Sequence, residues 1–186
     1  MKLAITVGLP HSGKTEFAQW LHKQHGYIII SLDTLRQTLS GDDTPEFPAS
    51  NELVQLIAGF MARHFLKLGY SVIVDGEHIT EEQRLPWIKV AEQFRIPLTM
   101  FWINTPFHLC KKRNEVNGGI YSNKRMDELA NRFIYPHHWE AEHGRIEILI
   151  PDAQVTVQGV FISGKCKAKT KDTDRTDGRW RVRGGL

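Results

Sequence analysis

The residues of this chain that could do chemistry begin at Gly8. Residues 8–15 read GLPHSGKT and fit the pattern G-x-x-x-x-G-K-[ST] at every fixed position. Two glycines, Gly8 and Gly13, let such a backbone curl until successive N–H groups point at phosphate oxygens. Within the cradle of Gly8, Leu9, Pro10, His11, Ser12, Gly13, Lys14 and Thr15, the lysine adds a mobile cation for β- and γ-phosphates. The Thr15 hydroxyl is a ligand for Mg²⁺. With Gly at about 7% of residues, the fixed positions coincide by chance in only about 1% of chains this long. The flanks agree: LAITV before the loop reads as a buried strand, and EFAQWLHKQ after it as a helix. The loop predicts binding of nucleotide phosphates without saying where a phosphate goes.

Asp33 could supply the acceptor side. It follows YIII, at the carboxyl edge of a second strand, where open α/β sheets place ligands. Phosphoryl transfer to an alcohol calls for a carboxylate that orients the acceptor hydroxyl and takes its proton. Arg36 stands three residues on, along the same face of a short helix. Base and cation together suit an acceptor that carries its own phosphate. The same spacing also describes a helix N-cap with a solvated ion pair. Asp75 ends a third apolar run, SVIV, either as a Walker-B carboxylate near Mg²⁺ or as a turn residue, with Glu77 close behind.

Lys111, Lys112, Arg113 and Arg125 flank the loop NGGIYSNK, residues 117–124. They read as lid cations that neutralise developing charge, Arg113 foremost, or as a solvated basic helix end. His11 contributes its backbone N–H. His137, His138 and His143 crowd into PHHWEAEH with no cysteine among them, and read as structural or surface residues rather than metal ligands.

The elements that must position these groups alternate along the chain. Strands are predicted over residues 2–7, 27–30, 71–74, 98–103 and 145–150, with an edge strand or hairpin over 155–162. The second strand is placed parallel to the phosphate-loop strand and beside it. Helices are predicted over 14–24, after Asp33, over 51–68, from the Thr80 cap, over 106–116 and over 125–133. Pro106 takes the first helical position, and Pro86 falls early enough in its helix to be tolerated. The helix over 51–68 turns Leu53, Leu56, Ile57, Phe60, Met61, His64, Phe65 and Leu68 to the core. Residues 40–50 read as a surface loop, and Trp20, Trp87 and Trp102 as core. This is a three-layer α/β fold around a five-stranded parallel sheet.

At 186 residues the chain suits one domain, over residues 1–163, followed by a tail. Its +3 net charge is uneven: residues 164–186 carry eight Lys and Arg against three Asp, a net +5, leaving −2 for the rest. The tail is expected to be disordered in isolation. No apolar run reaches the roughly 18 residues of a membrane span. Two distant cysteines and the absence of a signal-peptide pattern make the cytoplasm the expected location.

GLPHSGKT at Gly8–Thr15, SLDTLR at Ser31–Arg36, VIVDGEHIT at Val72–Thr80 and CKKRN at Cys110–Asn114 together resemble the polynucleotide-kinase-type P-loop kinases. That group contains the phage polynucleotide 5′-kinase domain, and the resemblance covers residues 1–150. It implies a P-loop NTPase fold with adenylate-kinase-like topology and a lid. It also implies an ATP- and Mg²⁺-dependent kinase with DNA, RNA or a nucleotide as acceptor. Asp33 would be the general base and Arg36 would contact the acceptor's phosphate. Lys14 and Arg113 would serve the transferred phosphate, with Thr15 and Asp75 at the metal. The acceptor would be a 5′-OH end, or a hydroxymethylated pyrimidine such as 5-hydroxymethyluracil in phage DNA. A small-metabolite, sugar or zeta-toxin-like kinase and a non-catalytic ATP switch are the alternatives. Two departures stand out. Asp75-Gly76-Glu77-His78 replaces the usual D-x-[TN]-N, and Asn117 occupies the place of a second lid arginine, so Lys112, Lys124 or Arg125 would substitute or the acceptor would differ.

Overall fold

The computed structural model describes residues 1–40, 48–137, 140, 144–149 and 160–161. In chain order the elements are β1 Leu3–Val7, α1 Lys14–His25, β2 Ile28–Ser31, α2 Leu32–Ser40, α3 Pro48–Lys67 and β3 Val72–Asp75. They continue with α4 Glu81–Phe94, β4 Leu98–Ile103, α5 Phe107–Val116, α6 Asn123–Asn131, β5 Gly144–Leu149 and β6 Val160–Phe161. The sheet order is β2-β3-β1-β4-β5-β6. The first five strands run parallel, and β6 adds to β5 antiparallel. The predicted five-stranded parallel sheet is therefore present. One expectation fails: β2 does not lie beside β1, because β3 is inserted between them. Asp75, not Asp33, thereby ends the strand next to the phosphate loop.

Side chains alternate across the central strands and split the interior into two cores. Leu3, Ile5, Val7, Val72 and Val74 face one way, against Val54, Ala58, Ala62 and Leu66 of α3 and Trp87, Ile88 and Ala91 of α4. Ala4 and Ile73 face the other way, with Phe101, against Phe17, Ala18 and Leu21 of α1. Strands apolar on both faces are what a doubly covered parallel sheet requires.

The helices differ from expectation in instructive places. In α3 the buried row is Val54, Ala58, Ala62 and Leu66, with the expected Met61 and Phe65 packed against the core, while Leu53, Leu56 and Phe60 are exposed, as is Leu68 beyond the helix end. The helix also starts at Pro48, three residues before its predicted start, and residues 41–47 of the expected loop lie outside the described residues. Pro106 is the N-cap of α5 rather than its first helical residue. Thr80 caps α4 as expected, its N–H donating to Gln83 Oε1 at 3.1 Å. Among the described residues no helix is long and apolar enough to cross a membrane.

Candidate active site

β1 delivers the chain straight into the phosphate loop. A Cβ at Gly8 would lie 2.9 Å from both the Ile103 carbonyl oxygen and Ser12 Oγ, so only glycine fits. The Gly8 N–H donates to the Glu77 carbonyl at 2.9 Å, tying the loop to the turn beyond β3. Gly13, at φ 104°, is the left-handed N-cap of α1. The loop thus runs into a helix N-terminus, whose unpaired N–H groups and dipole favour an anion. Lys14 is buried, and its Nζ donates to the Leu9 carbonyl at 2.7 Å. Burial lowers its pKa, opposed by the carboxylates of Glu77, Asp75 and Asp33 in that order. Three acids from two segments, the end of β3 and the start of α2, therefore act on one lysine.

Asp75 is held from two sides. Its Oδ2 accepts from the Thr15 hydroxyl at 2.8 Å, and Thr6 Oγ1 lies 3.1 Å from its Oδ1. Thr6 Oγ1 in turn accepts from the Gly76 N–H at 3.1 Å. Burial raises the Asp75 carboxyl, and Thr15, Lys14 and Thr6 act against that rise. A hydroxyl and a carboxylate side by side at the end of the loop are hard oxygen donors that suit Mg²⁺. Thr15 and Asp75 are the residues that would hold it.

Asp33 and Arg36 lie on α2, beyond β2. Arg36 Nη1 meets Asp33 Oδ1 at 2.6 Å, with Asp33 72% exposed. Arg36 is braced by Asn51 Oδ1, which accepts from its Nε and Nη2 at 3.3 and 3.2 Å. Asp33 is not the cap: it sits in the first turn, and Ser31 Oγ accepts from the Thr34 N–H at 3.3 Å. The ion pair of the second reading is therefore present and the Asp33 cap is not. The Asp33 carboxylate is also one of those that oppose the lowering of the Lys14 pKa.

The four basic side chains around the lid loop do different things. Arg113 reaches back to the phosphate loop, where its Nη1 donates to the His11 and Ser12 carbonyls at 3.2 and 3.3 Å. Lys111 instead pairs with Asp127 of α6 at 2.7 Å and lies over the Phe107 ring. Lys112 is exposed. Arg125 pairs with Glu128 at 3.3 Å, half-exposed, and acts on Glu77. His11 does more than present a backbone N–H. At φ 59° it is left-handed, an uncommon state outside glycine. Its ring meets Tyr121 at 5.9 Å, and its Nδ1 accepts from Asn117 Nδ2 at 3.4 Å.

A buried network supports the turn after β3, and the spacing gave no sign of it. His78, at φ 45°, donates from Nδ1 to the Thr6 carbonyl at 2.7 Å. Arg84, fully buried, pairs with Glu140 through Nε at 2.6 Å and Nη2 at 3.1 Å. Its Nη1 donates to the His78 and Ile134 carbonyls, both at 3.0 Å. These bonds lock the chain returning from the lid onto the Asp75 turn. An arginine at i+3 from the Glu81 helix start reads as surface until a distant Glu140 is folded against it. His137 lies 3.4 Å from Glu81 at the surface; His138 and His143 lie outside the described residues.

A 2-3-1-4-5 parallel sheet with a phosphate loop after β1 is the fold of the P-loop kinases. The chain belongs to the AAA domain family (AAA_33), whose family model matches residues 3–131. Over 129 residues it is 24% identical to the bifunctional polynucleotide phosphatase/kinase of Schizosaccharomyces pombe, covering 69% of this chain. The chain spans 28% of that curated relative's length. Among solved structures, APS kinase CysC of Mycobacterium tuberculosis superposes with a TM-score of 0.61 at 21% identity, covering 82% of this chain and 90% of that one. A chain of the Pnkp1/Rnl/Hen1 RNA repair complex gives 0.62 at 18%, covering 76% and 45%. At these identities the structural likeness speaks to the fold.

Proposed function

We propose that this protein transfers the γ-phosphate of ATP to a hydroxyl of a nucleic acid or nucleotide. The observation that supports the reading is the Asp33–Arg36 ion pair on α2, whose carboxylate adds to the charge felt by Lys14 of the phosphate loop. Loop N–H groups and Lys14 bind the β- and γ-phosphates. Asp33 accepts the acceptor's hydroxyl proton as the new O–P bond forms and the bond to the ADP leaving group breaks. Arg36 clamps the acceptor's own phosphate, and Arg113, against the loop carbonyls, covers the transferring group. Thr15 and Asp75 would hold Mg²⁺, which would supply charge neutralisation for the transferred phosphate. Similarity to a polynucleotide phosphatase/kinase supports the choice of acceptor.

The Glu77 side chain favours a second reading. Its carboxylate stands near Lys14 and Asp33, and burial raises its pKa. A carboxyl group there suits the hydroxyls of a small metabolite better than a second phosphate. Labelled ATP offered with 5′-OH DNA, 5′-OH RNA, hydroxymethylated DNA, nucleosides and simple sugars separates the two. Label on a polymer or nucleotide supports the first reading, and label only on sugars replaces it. Asp33→Asn is expected to abolish transfer while ATP affinity stays within about twofold. Full activity in that variant would sink the assignment of the base.

A further inference from the structure

We propose that Tyr121 is the platform on which a planar ring of the acceptor packs, so that the lid loop as well as α2 selects the acceptor. The inference rests on the nucleic-acid or nucleotide acceptor proposed above. Tyr121 lies in the segment joining α5 to α6, yet its backbone is fixed at both ends. The buried Asn114 accepts its N–H on Oδ1 at 3.1 Å and donates from Nδ2 to its carbonyl at 2.7 Å. That double clamp sets the direction in which the phenol leaves the loop. The ring then stands perpendicular to His11, centroids 5.9 Å apart and planes at 85°. A perpendicular contact occupies at most one face of the phenol.

The surroundings identify a partner for the ring. The charges acting on the Tyr121 hydroxyl are those of Glu77, Asp33, Arg36 and Arg125. The ring lies against His11 of the phosphate loop, its hydroxyl feels the charges of the proposed base and its cation, and its half-buried side chain still meets solvent. A hydroxyl to be phosphorylated, an anion for the arginines and a flat apolar surface for the phenol are combined in a nucleotide. Bases of every kind offer a π-face, so a platform of this type tolerates sequence while rejecting an acceptor that lacks a base.

The test uses two 5′-OH DNA oligonucleotides of equal length, one complete and one with an abasic analogue at its 5′ end. Transfer kinetics and fluorescence-anisotropy binding are measured for the wild type, Tyr121→Phe and Tyr121→Ala, each shown to keep its melting transition. The wild type and Tyr121→Phe are expected to prefer the complete oligonucleotide by about tenfold in acceptor KM. In Tyr121→Ala the preference should shrink below twofold, with the KM for ATP unchanged. An alanine variant that keeps the preference overturns the proposal. So does a phenylalanine variant that loses it, because the hydroxyl and not the ring would then be in use. So does a raised ATP KM in the alanine variant, which would place the ring in support of the phosphate loop. If the wild type neither binds nor phosphorylates either oligonucleotide, the nucleic-acid reading itself fails, and the platform fails with it.

Discussion

At the scale of single residues, His78 shows how burial converts a side chain's ionisation into stability. Its ring is enclosed, donates to the Thr6 carbonyl and stands perpendicular to Trp87 with centroids 6.0 Å apart. Burial, with Lys14 and Arg84 nearby, lowers its pKa to about 4. A histidine whose folded pKa lies below its unfolded value stabilises the fold above the unfolded pKa. That contribution is lost as pH falls, beginning near 6.5 and complete near 4, at ~1.4 kcal/mol per pH unit. Asp75 and Glu77, whose pKa values are raised by burial, pull the other way, so the contrast with a variant is what matters. His78→Asn keeps a side-chain N–H donor and tolerates the positive φ. Urea unfolding of wild type and variant between pH 7 and 4 should show the wild type losing on the order of 3 kcal/mol relative to His78→Asn. Parallel curves would remove His78 from the account.

At the scale of elements, α3 is where apolar periodicity misled. Its sequence carries large apolar residues around much of the helix, and the heaviest arc includes Leu56 and Phe60. The sheet instead takes Val54, Ala58, Ala62 and Leu66, a row spaced at four residues whose two alanines let the helix lie close to β2 and β3. Alanine weighs little in a hydrophobic pattern, but its small size decides which face can approach. Leu66→Ala is therefore expected to cost about 2–5 kcal/mol, and Phe60→Ala, with its residue 75% exposed, under about 0.5 kcal/mol. Thermal unfolding of the two variants tests this, and the reverse order would restore the sequence-derived face. The lid helices show the opposite case. The sequence marked the cations, and Asn114, Lys111–Asp127 and the Ser122 cap of α6 show what holds them.

At the scale of the whole molecule, strand order is what assembles the site. Inserting β3 between β1 and β2 brings Asp75 against Thr6 and Thr15, and leaves Asp33 beyond the edge strand. The basic tail, residues 164–186, lies outside the described residues, so its role is argued from charge alone. Eight basic side chains would add phosphate contacts that release counterions. Truncation after Ser163 is expected to leave turnover on a mononucleotide-sized acceptor unchanged, while weakening a polymeric acceptor's affinity and flattening its salt dependence. Unchanged kinetics and salt slope on the polymer would remove the tail from acceptor binding.

The sequence by itself determined the phosphate loop, the alternation of strands and helices, and the residue types at Asp33, Arg36, Asp75 and Arg113. Each depends on local spacing: a glycine where a Cβ has no room, an apolar run long enough for a buried strand, an acid at a strand's carboxyl end. Only the tertiary structure decided which strand neighbours which, and which face of α3 is buried. It also joined Arg84 to Glu140 and brought Tyr121 to His11, pairs 56 and 110 residues apart in the chain. Contacts at such separations come from sheet order and close packing, which leave no periodic trace in the sequence around either partner.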